Sequence, residues 1–226
     1  MAGWPESREA LITEQERLGR ADPEPWRPTP GPLAVGGCFV CFSRGPPGPG
    51  AVGDAGWAAS ALVRRGRLQD SAAVSGSAGA AYEAGLLALR EGALLEAAIR
   101  RLAEVPDVPL VDATGRDHPR RAGLAVQIGA VLDLPTVGVT HRPLAAEGNW
   151  PPEEPGAARP LVLGADVVGY WVRTRRGTRP LAVHAAWRTD PETAVAVVSE
   201  SIKGTRTPEP LRQARRVARL ARAGAE

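Results

Sequence analysis

Between Val111 and Gly129 the chain reads VDATGRDHPRRAGLAVQIG, a segment dense in groups that ionise or hydrogen-bond. Asp112 ends the short apolar run VPLVD and is followed by a Gly-containing turn, the place where open α/β sheets set a ligand site. His118, Arg120 and Arg121 then stand just ahead of the helical pattern RAGLAVQIGAVL. Backbone N–H groups, the helix dipole and guanidinium forks all favour an anion there. The same residues also fit an N-terminal turn whose Asp and Arg side chains cap the helix and face water; residue types alone leave the two readings level. A second stretch, GGCFVCF from Gly36 to Phe42, holds the two cysteines of the chain, Cys38 and Cys41. A redox C-x-x-C opens a helix, and a zinc site needs a second ligand pair. This pair instead lies in an apolar run that leaves through the Pro/Gly loop 44–48, which reads as a buried strand. Residues three apart on a strand point to opposite faces, so the thiols neither converge on a metal nor bond each other, and are expected to be inert.

The elements that must position these groups follow from periodicity. An amphipathic helix is expected within residues 1–20, a proline-rich connector over 21–32, and a strand over 33–42. Strands over 51–63 and 67–74 extend the meander, with turns at 53–56 and 64–66. The period then changes: GLLALREGALLEAAIRRL, residues 85–102, is apolar at helical spacing and ends before Pro106. A strand over 108–112, a helix over 121–132, strands over 136–140, 167–173 and 181–185, and a basic amphipathic helix over 210–223 complete the pattern. Three antiparallel strands followed by alternating strands and helices predict one mixed α/β domain spanning 1–226.

The 226 residues, 43% of them hydrophobic, suffice for one sizeable core. The chain contains no apolar run long enough for a transmembrane helix, and its first twenty residues are polar and mixed in charge, which points to no membrane partner and a cytoplasmic setting. Two cysteines without an export signal agree with a reducing compartment. The net charge of +3 permits contact with nucleic acid without requiring it. Every positive side chain except Lys203 is arginine; this suits phosphate recognition, and a GC-rich genome produces the same bias.

Four pieces occur in a recognisable order: Tyr82 to Glu91 (YEAGLLALRE), Val111 to Gly115 with HPRR and Gly123, Asp133 to Val139 (DLPTVGV), and Lys203 to Pro210 (KGTRTPEP) with Arg212-Gln213. Together they resemble endonuclease V, in register from about residue 10 to about 215. The resemblance implies a ribonuclease-H-like fold and a Mg²⁺-dependent nuclease that recognises deoxyinosine or inosine and cuts the second phosphodiester bond on its 3′ side. It also implies roles for single residues. Glu91 and Asp112 match two acidic metal-holding positions. The first-strand aspartate of the family pattern A-G-x-D-x-x-F falls on Phe39, the late catalytic histidine aligns with Trp187, and the catalytic lysine with His141. In place of the family's P-Y-I-P wedge stands Ala81-Tyr82-Glu83-Ala84, and in place of the D-G-H-G turn that cups a flipped base stands Asp112-Ala113-Thr114-Gly115. Tyr82, Gly115, His118, Arg120 and Arg121 are thereby expected to face nucleic acid, and His141 to be able to act as an acid or base.

Two carboxylates are a meagre set for an ion that competes with its own hydration through hard oxygen ligands, so Mg²⁺ is expected to bind weakly or not at all. Asp117, Asp190 and Glu192 are the neighbouring carboxylates able to compensate, and each also fits a solvated or capping role. Three functions are compatible with these residues: residual or redirected metal-dependent hydrolysis; a non-catalytic module that binds DNA or RNA, inosine-containing or not, or another partner; and a different chemistry on a nucleoside-like small molecule.

Overall fold

The computed structural model describes residues 3–225 except 44, 46, 47 and 49; the Pro/Gly loop expected after the first strand falls partly outside the described residues. Among them, eight strands form one sheet in the order β3-β2-β1-β4-β5-β8-β7-β6. β1 (Ala34–Phe42), β2 (Ala55–Arg64) and β3 (Arg67–Ser77) are the antiparallel meander. β4 (Val108–Val111) adds parallel to β1, and β5 (Val137–Thr140) parallel to β4. β8 (Leu181–Ala185), β7 (Asp166–Val172) and β6 (Ala158–Leu163) follow antiparallel. This is the ribonuclease-H-like mixed sheet that the sequence predicts.

Strand alternation sends side chains into two layers. On one face Cys38 and Val111 pack with Leu11 and Leu18 of α1 (Arg8–Arg20), Leu95 and Ile99 of α2 (Ala93–Arg100), and Ala125 and Ile128 of α3 (Leu124–Leu132). On the other, Val35, Leu110 and Val139 pack with Val197 of α4 (Pro191–Glu200) and Leu211 of α5 (Glu209–Ala223). Cys38 and Cys41 accordingly face opposite layers of β1, and neither forms a disulfide.

Three local features depart from expectation. The helix expected over 85–102 is broken: a five-residue π-helical turn, Ala88–Gly92, precedes α2. Arg90 explains the wide turn, because its buried guanidinium donates to the carbonyls of Ala51 and Ala80, pairs with Asp54 at 2.9 Å and stacks 4.0 Å over Phe42. Turns of this kind recur at functional sites, and the next residue is Glu91. β6 escapes prediction because Pro160 and an exposed pattern mask an edge strand. α4 escapes because its β-branched composition hides a helix that starts at a Pro and is capped by Asp190, which accepts from Thr193 N at 2.7 Å. The proline-rich connector is anchored through Trp26, whose N–H donates to Arg188 O at 2.7 Å, and through an Arg27–Asp190 ion pair. Among the described residues no helix is long and apolar enough to cross a membrane.

Candidate nucleic-acid interface

Phe39 and Asp112 lie side by side, since Cys38 on β1 pairs with Val111 on β4. Phe39 points to the face opposite Cys38, toward α5. That helix rests directly on β1: a Cβ built at Gly37 would lie 2.2 Å from the Pro210 carbonyl carbon, so only glycine permits the approach. The consequence is electrostatic. Arg215, one turn along α5, brings Nη2 to 3.0 and 2.9 Å from the two Asp112 oxygens. Its guanidinium lies 5.5 Å from the Phe39 ring centroid, and that of Arg219 5.9 Å. The pair is largely shielded, with Arg215 18% and Asp112 21% exposed. Charge-assisted pairing and the ring face both hold a cation at this point.

Glu91 approaches the same strand ends from the π-helical turn. It keeps some accessible surface, yet its carboxyl sits deep enough that burial, helped by the negative charge of Asp112, pushes it up to about 8; at neutral pH it is mostly the uncharged acid. Burial first, then the same two carboxylates, raises the Cys38 thiol far above the thiolate range, which makes it unreactive. The exposed His141 follows β5. Burial of its ring and the nearby charges of Arg206 and Arg215 lower its pKa, against the pull of Asp112, so it is neutral at pH 7.

These residues do not fit a divalent ion. Mg²⁺ requires oxygen donors in an octahedron, whereas Phe39 offers a hydrocarbon ring and Asp112 is already paired with Arg215. Among the described residues no three His, Cys, Asp or Glu side chains form a group that could hold a metal ion.

Beside Asp112 opens a cavity of about 270 Å³, floored by Ala113 and Thr114, walled by His118, Leu124 and Gln127, and rimmed by Tyr82. His118 shapes it rather than offering a charge. Its Nδ1 accepts from Arg120 N at 3.1 Å, so Nε2 carries the proton and donates to Gly85 O at 2.9 Å. Gln15 of α1 donates to the same carbonyl at 2.8 Å, which fixes the turn that carries Tyr82 to Ala84. Arg120 is held by Gln15 Oε1 at 2.7 Å. Two residues expected at nucleic acid are committed elsewhere. Arg121 reaches away to Leu163 O and Asp166 at the β6–β7 turn. Gly115 is packed so tightly on β8 that a Cβ would lie 2.1 Å from Ala185 O, so its small size serves strand packing.

Trp187 requires a correction. Val111 is level with Gly138, whereas Ala185 is level with Val137. Trp187 therefore lies about four residues, or ~13 Å, back along β5 from Asp112. It packs on Gly129 of α3 and accepts from Thr136 N at 3.0 Å, outside the site. The alignment with a catalytic histidine paired sequence positions that the sheet separates. Asp190 and Glu192 also serve elsewhere: Asp190 caps α4, and Glu192 accepts from Tyr170 OH at 2.8 Å. Sequence reasoning read α5 only as a basic amphipathic helix and did not single out Arg215. The signal was present, because Leu211, Ala214 and Ala218 mark the buried stripe beside it.

Asp117 is neither solvated nor near Phe39. It is fully buried and accepts from the backbone N–H groups of Leu144, Ala145 and Ala146 at 2.7, 2.8 and 2.6 Å, clamping the loop that closes the cavity. His184 Nδ1 lies 3.6 Å from it and Nε2 2.9 Å from Thr140 Oγ1. Complete burial outweighs the attraction of Asp117 and lowers His184 to about 4, below its usual 6.5. The unfolded chain thus binds one more proton between these values. The contribution of His184 to stability is fully present above about pH 6.5 and is lost as pH drops toward 4, at up to ~1.4 kcal/mol per pH unit, while Glu91, raised to about 8, contributes with the opposite sign from about pH 4.5 upward. Urea denaturation across this window checks it: the stability of the unaltered chain minus that of His184→Asn should fall as pH drops from 6.5 toward 4, and a difference that does not change with pH would contradict the assignment.

The endonuclease V family model matches residues 50–216. Endonuclease V of Methanopyrus kandleri is 41% identical over 145 residues, 64% of this chain and 62% of that protein, so the match spans less than two thirds of the relative's length. The crystal structure of endonuclease V from Streptomyces avermitilis covers 100% of this chain and 97% of its own, at 32% identity and a TM-score of 0.87. The Ciona intestinalis endonuclease V, solved in complex with a 24mer DNA containing an inosine followed by a ribo-adenosine, shares the fold at a TM-score of 0.76 and 21% identity, over 96% of this chain and 98% of its own. The shared fold, the cavity at the β4 end and a family match over most of its length make this chain a member of the endonuclease V family.

Proposed function

We propose that this chain binds nucleic acid through the inherited cleft, seating an inosine-type base in the cavity beside Asp112, and that it has lost most or all metal-dependent hydrolysis. The single observation that carries the proposal is the Arg215 guanidinium on both Asp112 oxygens, above the Phe39 ring. A fixed organic cation sits where a hydrolytic site of this family would need a solvated dication. The half-exposed Tyr82 at the cavity rim offers a stacking face. The relative from Ciona intestinalis, solved with inosine-containing DNA, motivates the choice of base.

Affinity would come from the outer part of α5, where Thr207, Arg212, Arg215, Arg216 and Arg219 line an open groove of about 480 Å³, of which Arg215 also pairs with Asp112. Arginines tracking a backbone release counterions, so binding weakens steeply with salt. Replacing Arg216 and Arg219 together by alanine is expected to reduce the log–log salt slope for single-stranded DNA by about 1.4. Fluorescence anisotropy with labelled inosine-containing DNA and RNA over a salt series tests this. Salt-independent binding, or none, would remove the nucleic-acid assignment.

A further inference from the structure

Arg64, Arg65, Arg67 and Lys203 line an open groove of about 570 Å³, together with Pro32 and Gln69. The β2–β3 turn builds the cluster. Arg64 pairs with Arg67, and the two residues between them, Arg65 and Gly66, both take left-handed backbone, with φ of +51° and +63°. This is the tight two-residue hairpin turn that brings its flanking side chains together. Lys203 then crosses the turn: a Cβ at Gly66 would lie 1.7 Å from its Cε and displace it, so the bare glycine gives the one lysine of the chain its seat. The neighbouring carboxylates are engaged elsewhere. Asp70 accepts from the N–H groups of Ser71 and Ala103 at 2.7 and 2.8 Å, Glu104 pairs with Arg64, and Glu209 pairs with Arg212 at 2.6 Å. Among the described residues no carboxylate lines the groove, and Arg65, Arg67 and Lys203 enter no ion pair. A groove lined by one sign of charge concentrates the opposite one.

We infer that this groove is a second contact for the backbone of the nucleic acid held in the cleft, binding its phosphates through Arg65, Arg67 and Lys203. The inference rests on the nucleic-acid reading above and extends its footprint. Guanidinium forks match phosphate oxygens, and two observations favour a polyanion over a small ion. Lys203 lines this groove and Thr207, four residues on, lines the arginine groove of α5, so one short segment joins the two. The span also suits a chain of phosphates. Arg64 is level with Ala34 on β1 and Val111 with Cys38, which sets Asp112 about five residues, or ~17 Å, along the strand direction from the turn. That distance is about five nucleotides of B-form strand at ~3.4 Å each. A single phosphate cannot touch both ends.

The test uses the full chain and a labelled DNA duplex of about 30 base pairs with one central inosine, read by anisotropy over a salt series. One variant combines Arg65→Asn, Arg67→Gln and Lys203→Gln, since asparagine accepts the left-handed turn. Its log–log salt slope should be smaller by about 2.7, the loss for three phosphate contacts, whereas Arg17→Gln with Arg20→Gln and Arg101→Gln, which removes the same charge from the α1 and α2 side, should change the slope by less than about 0.5. An unchanged slope in the groove variant, or an equal loss in the control, overturns the inference and leaves the proposed function standing. Salt-independent binding by the unaltered chain, or none, overturns both. A second measurement needs no variant to fold. Because Lys203 is the one lysine, acylation of the unaltered chain by an amine-reactive reagent, read by peptide mass, reports on this groove directly. Duplex at about ten times its Kd should slow that reaction roughly tenfold. A Lys203 that duplex leaves unprotected overturns the inference, and protection by phosphatidylserine vesicles alone would assign the groove to an anionic membrane surface instead.

Discussion

Cleavage of inosine-containing DNA in millimolar Mg²⁺ is expected to be at least about 10³-fold slower for this chain than for the Streptomyces avermitilis relative under the same conditions. Two effects combine. A metal held by too few ligands misplaces the attacking water, and misplacement by ~1 Å can cost roughly a hundredfold. A missing group that stabilises charge in the transition state costs a further ~10² to 10³. Because catalytic residues act as a unit, the two are not simply multiplied. Arg215 adds a specific obstacle: an entering dication must displace a guanidinium from Asp112 and avoid its charge at 2.9 Å. Calorimetric titration with Mg²⁺ and Mn²⁺ should accordingly detect only weak binding. The double variant Phe39→Asp with Arg215→Ala restores an oxygen donor and removes the competing cation, and its divalent affinity should rise at least about tenfold, with Arg215→Ala alone doing less. Turnover by the unaltered chain at the relative's rate would sink the proposal, because Phe39 and Arg215 would then be compatible with a working metal centre.

The second large effect concerns stability. Asp117→Ala should destabilise the fold by about 4 kcal/mol, read from urea denaturation at pH 7.5. One buried carboxylate satisfies three backbone N–H groups in succession, and hydrogen bonds to a charged group contribute about 1.5 to 3 kcal/mol each, with incomplete additivity. Truncation leaves those donors unpaired and desolvated beside His184. Asp117→Asn, which keeps the size and one acceptor oxygen, should cost about half as much. The same clamp shapes the cavity, because Leu144 lines it. Base discrimination should therefore weaken in Asp117→Asn even where the protein remains folded. A loss under ~1 kcal/mol for Asp117→Ala would mean that the loop is held by other contacts.

How much of this was legible beforehand depends on the range of the forces involved. Strand and helix periods are local, so the meander, the strand ending at Asp112, and the basic terminal helix could all be read from residue order. The two cysteines were also readable, because alternation along one strand fixes their opposed directions. The register of the motifs likewise sets the expectation that Phe39 stands at the family's first-strand carboxylate position. Partnerships across the sheet were not readable. Arg215 meets Asp112 over 103 residues of chain, and nothing local distinguishes it from Arg216, which faces outward. Trp187 was misplaced for the same reason: antiparallel pairing of β8 with β5 sends its end to the far edge. Asp117 passed for a surface residue because its three donors lie 27 to 29 residues away. The sequence by itself determined the family and the sheet. The tertiary structure alone decided that the Arg215 guanidinium pairs with Asp112, that His118 and Arg121 are held by backbone and side-chain partners of the scaffold, and that Gln127 Oε1 is buried without a partner. Charge pairing and burial act between residues distant in sequence, and only the packed chain brings them within a few ångströms.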